Sequence, residues 1–497
     1  MSQQHRRDLR RWKNPIATKT RCGRAVTADR RFDLLVAGGT VVSSTGRFRG
    51  DIGVRAGQIA VIAADLRAAP HIEADRIIDA TGCFVLPGLI DAHVHPVHAE
   101  SMATASEAAV FGGVTTLLHH LYVDQQRPIG QSVADAIAEG EATSLADFGL
   151  HVRLTDVKRR LDEIPDAVQL GVRSFKLFTA YRKAGIMSTD AELFAAMERI
   201  ATFGGLPMVH AESGWAIDLL EDRFRASGRT GPLDYPQTRP TWTEVDAVGR
   251  VLTLARVAGS AVYLVHISCA EAFPEIVAAR ERGQTVYAET CPHYLTLTAE
   301  DSMLRFGGRA KIAPPLRTTG DIEQLWRFVR NGTVDVIGSD HSAFSSAEKD
   351  QVDGDIFDVG FGAPGIETML TVVNEDGVNR GRIYLEDIVR AIAEAPARIF
   401  GLSRKGRLVP GADADLIVFD PEAATVLSDK LHGKAYYSLY SGRSVRGLPR
   451  TVVQRGRVLV HEGRLEGSPG SARFVRPDSN NVARRETTPR RMEPVRS

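Results

Sequence analysis

The chain has only four cysteines, Cys22, Cys83, Cys269 and Cys291, among 497 residues. They are scattered and none stands in a C-x-x-C pair, so neither a disulfide framework nor a thiolate zinc site is suggested, and a reducing, cytoplasmic setting is the simplest reading. No apolar run is long enough to span a bilayer. An excess of one charge is also missing: 62 Lys and Arg face 61 Asp and Glu, a formal net charge of +1. The body therefore has no global electrostatic demand for nucleic acid or membrane. No G-x-G-x-x-G opens a helix after a strand, so a dinucleotide site is not indicated. Apolar residues are plentiful, at 43%, enough for one large catalytic domain and a smaller one.

Both ends differ from the body. Residues 1–31 are rich in arginine and nearly free of acids, with twin arginines at Arg6–Arg7 and Arg10–Arg11. No apolar segment follows, which argues against a secretory or twin-arginine signal. Residues 1–31 and 467–497 are both expected to be solvated and disordered.

Between them two patterns alternate. Residues 32–80 carry short β-branched runs broken by Gly turns, and 403–466 repeat that pattern (GRLVPGADADLIVFD, RTVVQRGRVLVHEGRL). This predicts small strands, one composite β-sandwich built from both ends of the chain. Residues 81–402 alternate short apolar runs with amphipathic helical stretches such as 191–203 and 243–258. Fully apolar runs between helices argue for a parallel sheet. Eight such units predict a closed (β/α)8 barrel of the TIM type, with an open doubly wound sheet as the structural alternative.

Metal-ligand side chains end these runs. His93 and His95, at i and i+2 of one strand, face the same side. Lys176 lies in the fourth run, His210 ends the fifth, His266 the sixth and Asp340 the eighth. One such histidine is ordinarily packing or surface; four with an aspartate at the same end of separate strands point to a metal site, because functional residues of such barrels gather there. Imidazole and carboxylate suit zinc, and also iron, manganese or nickel. A lysine ammonium would repel two divalent ions, so Lys176 fits only when neutral or converted by carbon dioxide into a carbamate.

The set GLIDAHVH, SFKLFTAY, MVHAE, LVHIS and GSDHS, with RPTWTEVDAVGRVLTLAR, ETCPHYL, APPLR and GAPGIET, resembles the amidohydrolase superfamily. Within it the set is similar to the dihydropyrimidinase and D-hydantoinase branch of the cyclic amidohydrolases, from about Phe32 to Leu465. The resemblance implies the barrel with its composite β-domain, and hydrolysis of a cyclic amide C–N bond by hydroxide activated between two divalent metal ions, zinc foremost. It implies that His93, His95 and Asp340 hold the more buried ion, His210 and His266 the more exposed one, and N6-carboxylated Lys176 bridges them. Asp340 would also shuttle the proton, and Tyr181 would hydrogen-bond the developing oxyanion. A homotetramer or dimer is implied as well.

Phe178, Ala313 and Phe361 fall where the branch lines its substrate pocket. Ala313 in A-P-P-L-R replaces the usual Ser, and Phe361 an Asn, which puts the identity of the ring in question. Dihydroorotases and allantoinases tend to carry an arginine shortly after H-x-H, which in dihydroorotase pairs with the substrate carboxylate. This chain reads HVHPVHAES without one, which predicts a small neutral cyclic amide or ureide. Allantoin or another cyclic ureide or imide is the alternative, and an inactive scaffold of the same fold is disfavoured because every ligand position is filled. His98, His119, His120 and His341 read as packing or support for the ligands, Glu212 as a support for His210, and Cys269 as a small packed residue.

Overall fold

The computed structural model describes residues 31–68, 72–350 and 354–478. The arginine-rich residues 1–30, Cys22 among them, and residues 479–497 lie outside the described residues.

The chain opens with strands β1 (Arg31–Ser43), β2 (Gly46–Arg55), β3 (Gln58–Ala63), β4 (Glu73–Asp79) and β5 (Phe84–Pro87). Alternate residues point to one face, so Leu34 and Val36 on β1 and Ile52 and Val54 on β2 bury together. The run CFVLPGLIDAHVH is divided at Gly88. Its first half is β5 of this sheet, and its second half begins the barrel.

The barrel strands are β6 (Leu89–His95), β7 (Val114–Leu121), β8 (Asp147–Arg153), β9 (Ser174–Phe178), β10 (Leu206–His210), β11 (Val262–Leu264), β12 (Val286–Thr290), β13 (Val336–Ile337) and β14 (His341–Ser342). Neighbours are parallel and follow chain order. β13 pairs with β12, and β14 pairs back with β6. These two short pieces are one eighth strand interrupted at residues 338–340, and they close the ring. The fold is the expected (β/α)8 barrel, because both faces of its strands are covered. Helix Asp190–Thr202 shows how: a Thr189–Glu192 capping box starts it, and Leu193, Ala196, Met197 and Ile200 bury one stripe against the sheet. Burying Leu193, Met197 or Ile200 contributes about 1.5–3 kcal/mol each. Inside the ring, Ile90, Leu118, Leu206, Met208, Tyr263 and Phe400 belong to one apolar cluster, a floor below the polar residues at the strands' C-terminal ends.

The chain then returns to the first sheet as β15 (Leu416–Val426), β16 (Ser444–Gln454), β17 (Arg457–His461) and β18 (Arg464–Leu465). β15 lies antiparallel to β5, with Ile417 opposite Leu86 and Val418 opposite Val85. Both ends of the chain thus form one nine-stranded sheet. Residues 467–478, expected to be disordered, instead run along the barrel. Val475 N–H donates to Phe148 O at 2.7 Å, Asp478 N–H to Gly401 O at 2.9 Å, and Arg473 N–H to Asp147 Oδ1 at 2.8 Å. The backbone donors find acceptors on β8 and its neighbours, which composition alone does not reveal. No helix among the described residues is long and apolar enough to cross a membrane.

Candidate metal centre and active-site cavity

The strand ends bring His93, His95, Lys176, His210, His266 and Asp340 together. The register of β6 against β7 shifts between Asp91 and Val94. Ile90 and Ala92 join the apolar floor, while His93 and His95 meet Asp340, their Nε2 atoms 3.2 and 3.3 Å from its Oδ1. Lys176 Nζ lies 3.4 Å from His93 Nε2. His210 Nδ1 and His266 Nε2 face each other at 3.0 Å. Asp340 sits in the gap between β13 and β14. Its φ is +48°, that of His266 +39° and that of Tyr181 +66°. A left-handed non-glycine residue costs about 1–3 kcal/mol and persists where its surroundings hold it.

Three of the four imidazoles are oriented from behind. His93 Nδ1 meets Glu289 Oε1 at 2.6 Å, His95 Nδ1 meets the Tyr122 hydroxyl at 3.1 Å, and His210 Nε2 meets Glu212 Oε2 at 2.7 Å. Such outer partners fix the ring and the nitrogen left for a ligand. Glu212 is held in turn by Arg239 at 2.7 Å. Burial opposes its charge, but the Arg239 guanidinium and the His210 hydrogen bond outweigh burial and bring its pKa down to about 2.

Burial, followed by the charge of Lys176, holds His93, His95 and His266 well below the usual imidazole range. Burial also lowers His210, against the opposing pull of Glu212. Burial pushes Lys176 down, to about 7, against the attraction of Asp340, and pushes the Asp340 carboxyl up against the attraction of Lys176. Neutral imidazoles and a carboxylate thus converge, and His266 Nδ1 is buried without a hydrogen-bond partner. This donor set fits divalent metal. An acidic group elsewhere, Asp147, Asp413 and Asp415, does not: Lys405 Nζ lies 2.6, 3.1 and 2.6 Å from their oxygens, and Arg404 on Asp413 and Arg455 on Asp147 supply further positive charge.

Above the group opens a cavity of about 360 Å³. Phe178, Tyr181, Ala313 and Phe361, the residues expected to meet the substrate, all line it. The Tyr181 ring stands 4.8 Å from that of His210 and 5.6 Å from that of Phe361. Burial raises the Tyr181 phenol well above its usual range, so it stays a donor. His98 stacks on Phe344 at 3.7 Å, and His341 Nδ1 accepts from Gly365 N–H at 3.2 Å. His119 and His120 are buried, with all four ring nitrogens unbonded. The His120 ring is 4.4 Å from that of His93, and its nitrogen can join those of His93 and His95 around one ion. Cys269 is fully buried and its thiol is pushed up, chiefly by burial.

Sequence reasoning missed four residues here: Glu289, Tyr122, Arg239 and Arg153. Glu289 and Arg239 stand inside motifs already singled out, ETCPHYL and RPTWTE. Alternation along β12, with Tyr287 and Glu289 inward, was the available signal. Arg153 lies near the end of the third run, GLHVRL, where a charge ordinarily reads as the solvated edge of a strand.

The chain belongs to the amidohydrolase family, whose model matches residues 84–459. A D-hydantoinase of Ralstonia pickettii is 37% identical over 463 residues, 90% of this chain and 99% of that protein. Among solved structures, a D-hydantoinase superposes with a TM-score of 0.86 at 36% identity, covering 90% of this chain and all of the other. A dihydropyrimidinase from Brevibacillus agri gives 0.85 at 32% identity, covering 91% and 99%.

Proposed function

We propose that this protein hydrolyses a ring C–N bond in a cyclic amide or ureide, the ring opening named in its dihydropyrimidinase and D-hydantoinase relatives. The observation that carries this is the convergence of four neutral imidazoles, Lys176 and Asp340 at the base of an aromatic-walled cavity of ring size.

In this reading His93, His95 and Asp340 would hold one divalent ion and His210 and His266 a second, with Lys176, once carboxylated, as a ligand shared by both. When bound, such a pair supplies a Lewis acid and lowers the pKa of water to near neutrality. Asp340 lies where it can accept a proton from attacking water and return it to the ring nitrogen as that bond breaks. Tyr181, held protonated, donates a hydrogen bond to the carbonyl oxygen as it gains charge. Phe178 and Phe361 pack the ring and exclude bulk water. Glu289, Tyr122 and the Glu212–Arg239 pair keep the imidazoles aimed.

The test is ring opening by purified protein supplied with zinc and bicarbonate, using dihydrouracil, a 5-aryl hydantoin, allantoin and dihydroorotate in parallel. Turnover of any of them, abolished by Lys176→Ala, supports the reading. Silence on all four with metal bound overturns it, and a protein that takes up no metal is the inactive scaffold.

A further inference from the structure

The cavity holds one charged side chain that the metal centre does not use. Arg153 is the last residue of β8 and stands beside Lys176 in the sheet register. It lies two residues beyond His151, whose ring sits inside the barrel against His120, so strand alternation aims Arg153 into the barrel mouth as well. Its guanidinium lies 3.8 Å over the Tyr122 ring and 5.1 Å from that of Phe178. Those two rings hold the guanidinium at the wall of the cavity that Arg153 lines.

No carboxylate of the described residues pairs with it, and its Nε is buried without a hydrogen-bond partner. Among the described residues the only acid on the cavity wall is Asp340, and the metal centre takes both it and the carbamate of a carboxylated Lys176. A cation left uncompensated next to a site for two further cations is costly, since like charges this close repel strongly where water is scarce. The arrangement makes sense when an anion arrives with the substrate.

We infer that Arg153 is a specificity-determining residue that binds a carboxylate carried as a substituent on the substrate ring. The inference rests on the ring-opening reading above and adds the charge of the substrate. It replaces the neutral ring expected from the missing arginine after H-x-H: a guanidinium is present in the cavity, supplied by a different strand. A planar guanidinium held on aromatic faces suits bidentate pairing with a carboxylate.

The test compares two near-isosteric rings, 5-(carboxymethyl)hydantoin and its neutral amide, 5-(carbamoylmethyl)hydantoin. The wild-type protein is expected to favour the carboxylate in kcat/KM by about tenfold or more, chiefly through KM. In Arg153→Met that ratio falls to about one, and Arg153→Lys restores part of it. Because the ratio is taken within each variant, a general loss of folded protein does not mimic the result. Calorimetric binding of the carboxylate to wild-type and Arg153→Met protein gives a reading independent of turnover. Equal affinity for the two proteins, or a ratio unchanged by Arg153→Met, overturns the inference. Opening of neutral hydantoins with no carboxylate preference would sink this inference and leave the ring-opening reading standing. Carboxylate binding that depends on Arg153 in a protein that opens no ring would do the reverse.

Discussion

At the scale of single residues, the site is an arrangement of groups denied their usual charge. Burial keeps the imidazoles neutral and disfavours an ammonium at Lys176, the condition a lysine needs to take up carbon dioxide and act as an anionic ligand. Lys176→Ala is therefore expected to lower the metal content from about two ions per chain, measured by atomic emission, with thermal unfolding used to confirm that the chain still folds. Asp340→Asn keeps shape and an oxygen ligand but removes the proton acceptor. Turnover should fall by roughly 10³-fold in a steady-state assay while KM changes little. The six ligand candidates were legible in the sequence because strand ends and i, i+2 spacing are local properties. Glu289 and Arg239 were not singled out: their roles depend on which strand lies next to which, and a carboxylate behind a histidine has no sequence spacing to mark it. Arg153 was invisible for a related reason, since only the fold shows that no acid answers it.

At the scale of elements, the wall that carries Phe361 is held by buried lysines. Lys311 Nζ donates to Phe357 O at 2.9 Å and Val359 O at 2.6 Å, and Lys349 Nζ donates to Lys311 O at 2.9 Å and Gly360 O at 2.7 Å. Burial lowers Lys311 to about 7, with Arg239 adding to the effect. An unfolded lysine titrates near 10.4, so between about pH 7 and 10 the unfolded chain binds more protons at this residue, and stability rises with pH. Lys311→Met removes that contribution. Its melting temperature relative to wild type should be highest near pH 7 and decline toward pH 10, as scanning calorimetry can record. Gly362, next along the same wall, has φ +137°, and an added Cβ would sit 2.5 Å from Ser342 O. Gly362→Ala should cost about 1–3 kcal/mol, read from chemical denaturation, and should weaken substrate binding by displacing Phe361. The helices and apolar strands of the barrel were readable from periodicity, whereas the break in the eighth strand was not. GSDHS reads as one strand end, and only pairing shows β13 and β14 serving different neighbours.

At the scale of the whole molecule, the first and last described segments, β1 and residues 467–478, are both tied into structure. The composite sheet was foreshadowed by matching β-rich composition at the two ends, but the pairing of β5 with β15 has no local signature, and polar residues 467–478 gave no sign of their contacts with β8. Ending the chain after Asp478 should leave the melting temperature within a degree or two of the full chain. Ending it after Glu466 removes the hydrogen bonds to Phe148, Asp147 and Gly401 and should lower it by several degrees. Starting it at Arg31 should leave ring opening intact; loss of activity would assign residues 1–30 a part in the enzyme.

The seam between β5 and β15 also has a consequence in time. β5 leaves the ribosome well ahead of its antiparallel partner, which is made more than 300 residues later. At about 5–20 residues per second that is a delay of roughly 15–65 s. Throughout it, an apolar edge containing Val85 and Leu86 waits unpaired while barrel strands emerge beside it. Exposed strand edges recruit other chains, so the yield of folded protein in a cell should depend on translation speed and on chaperones that shield this edge, more than on the stability of the finished sheet.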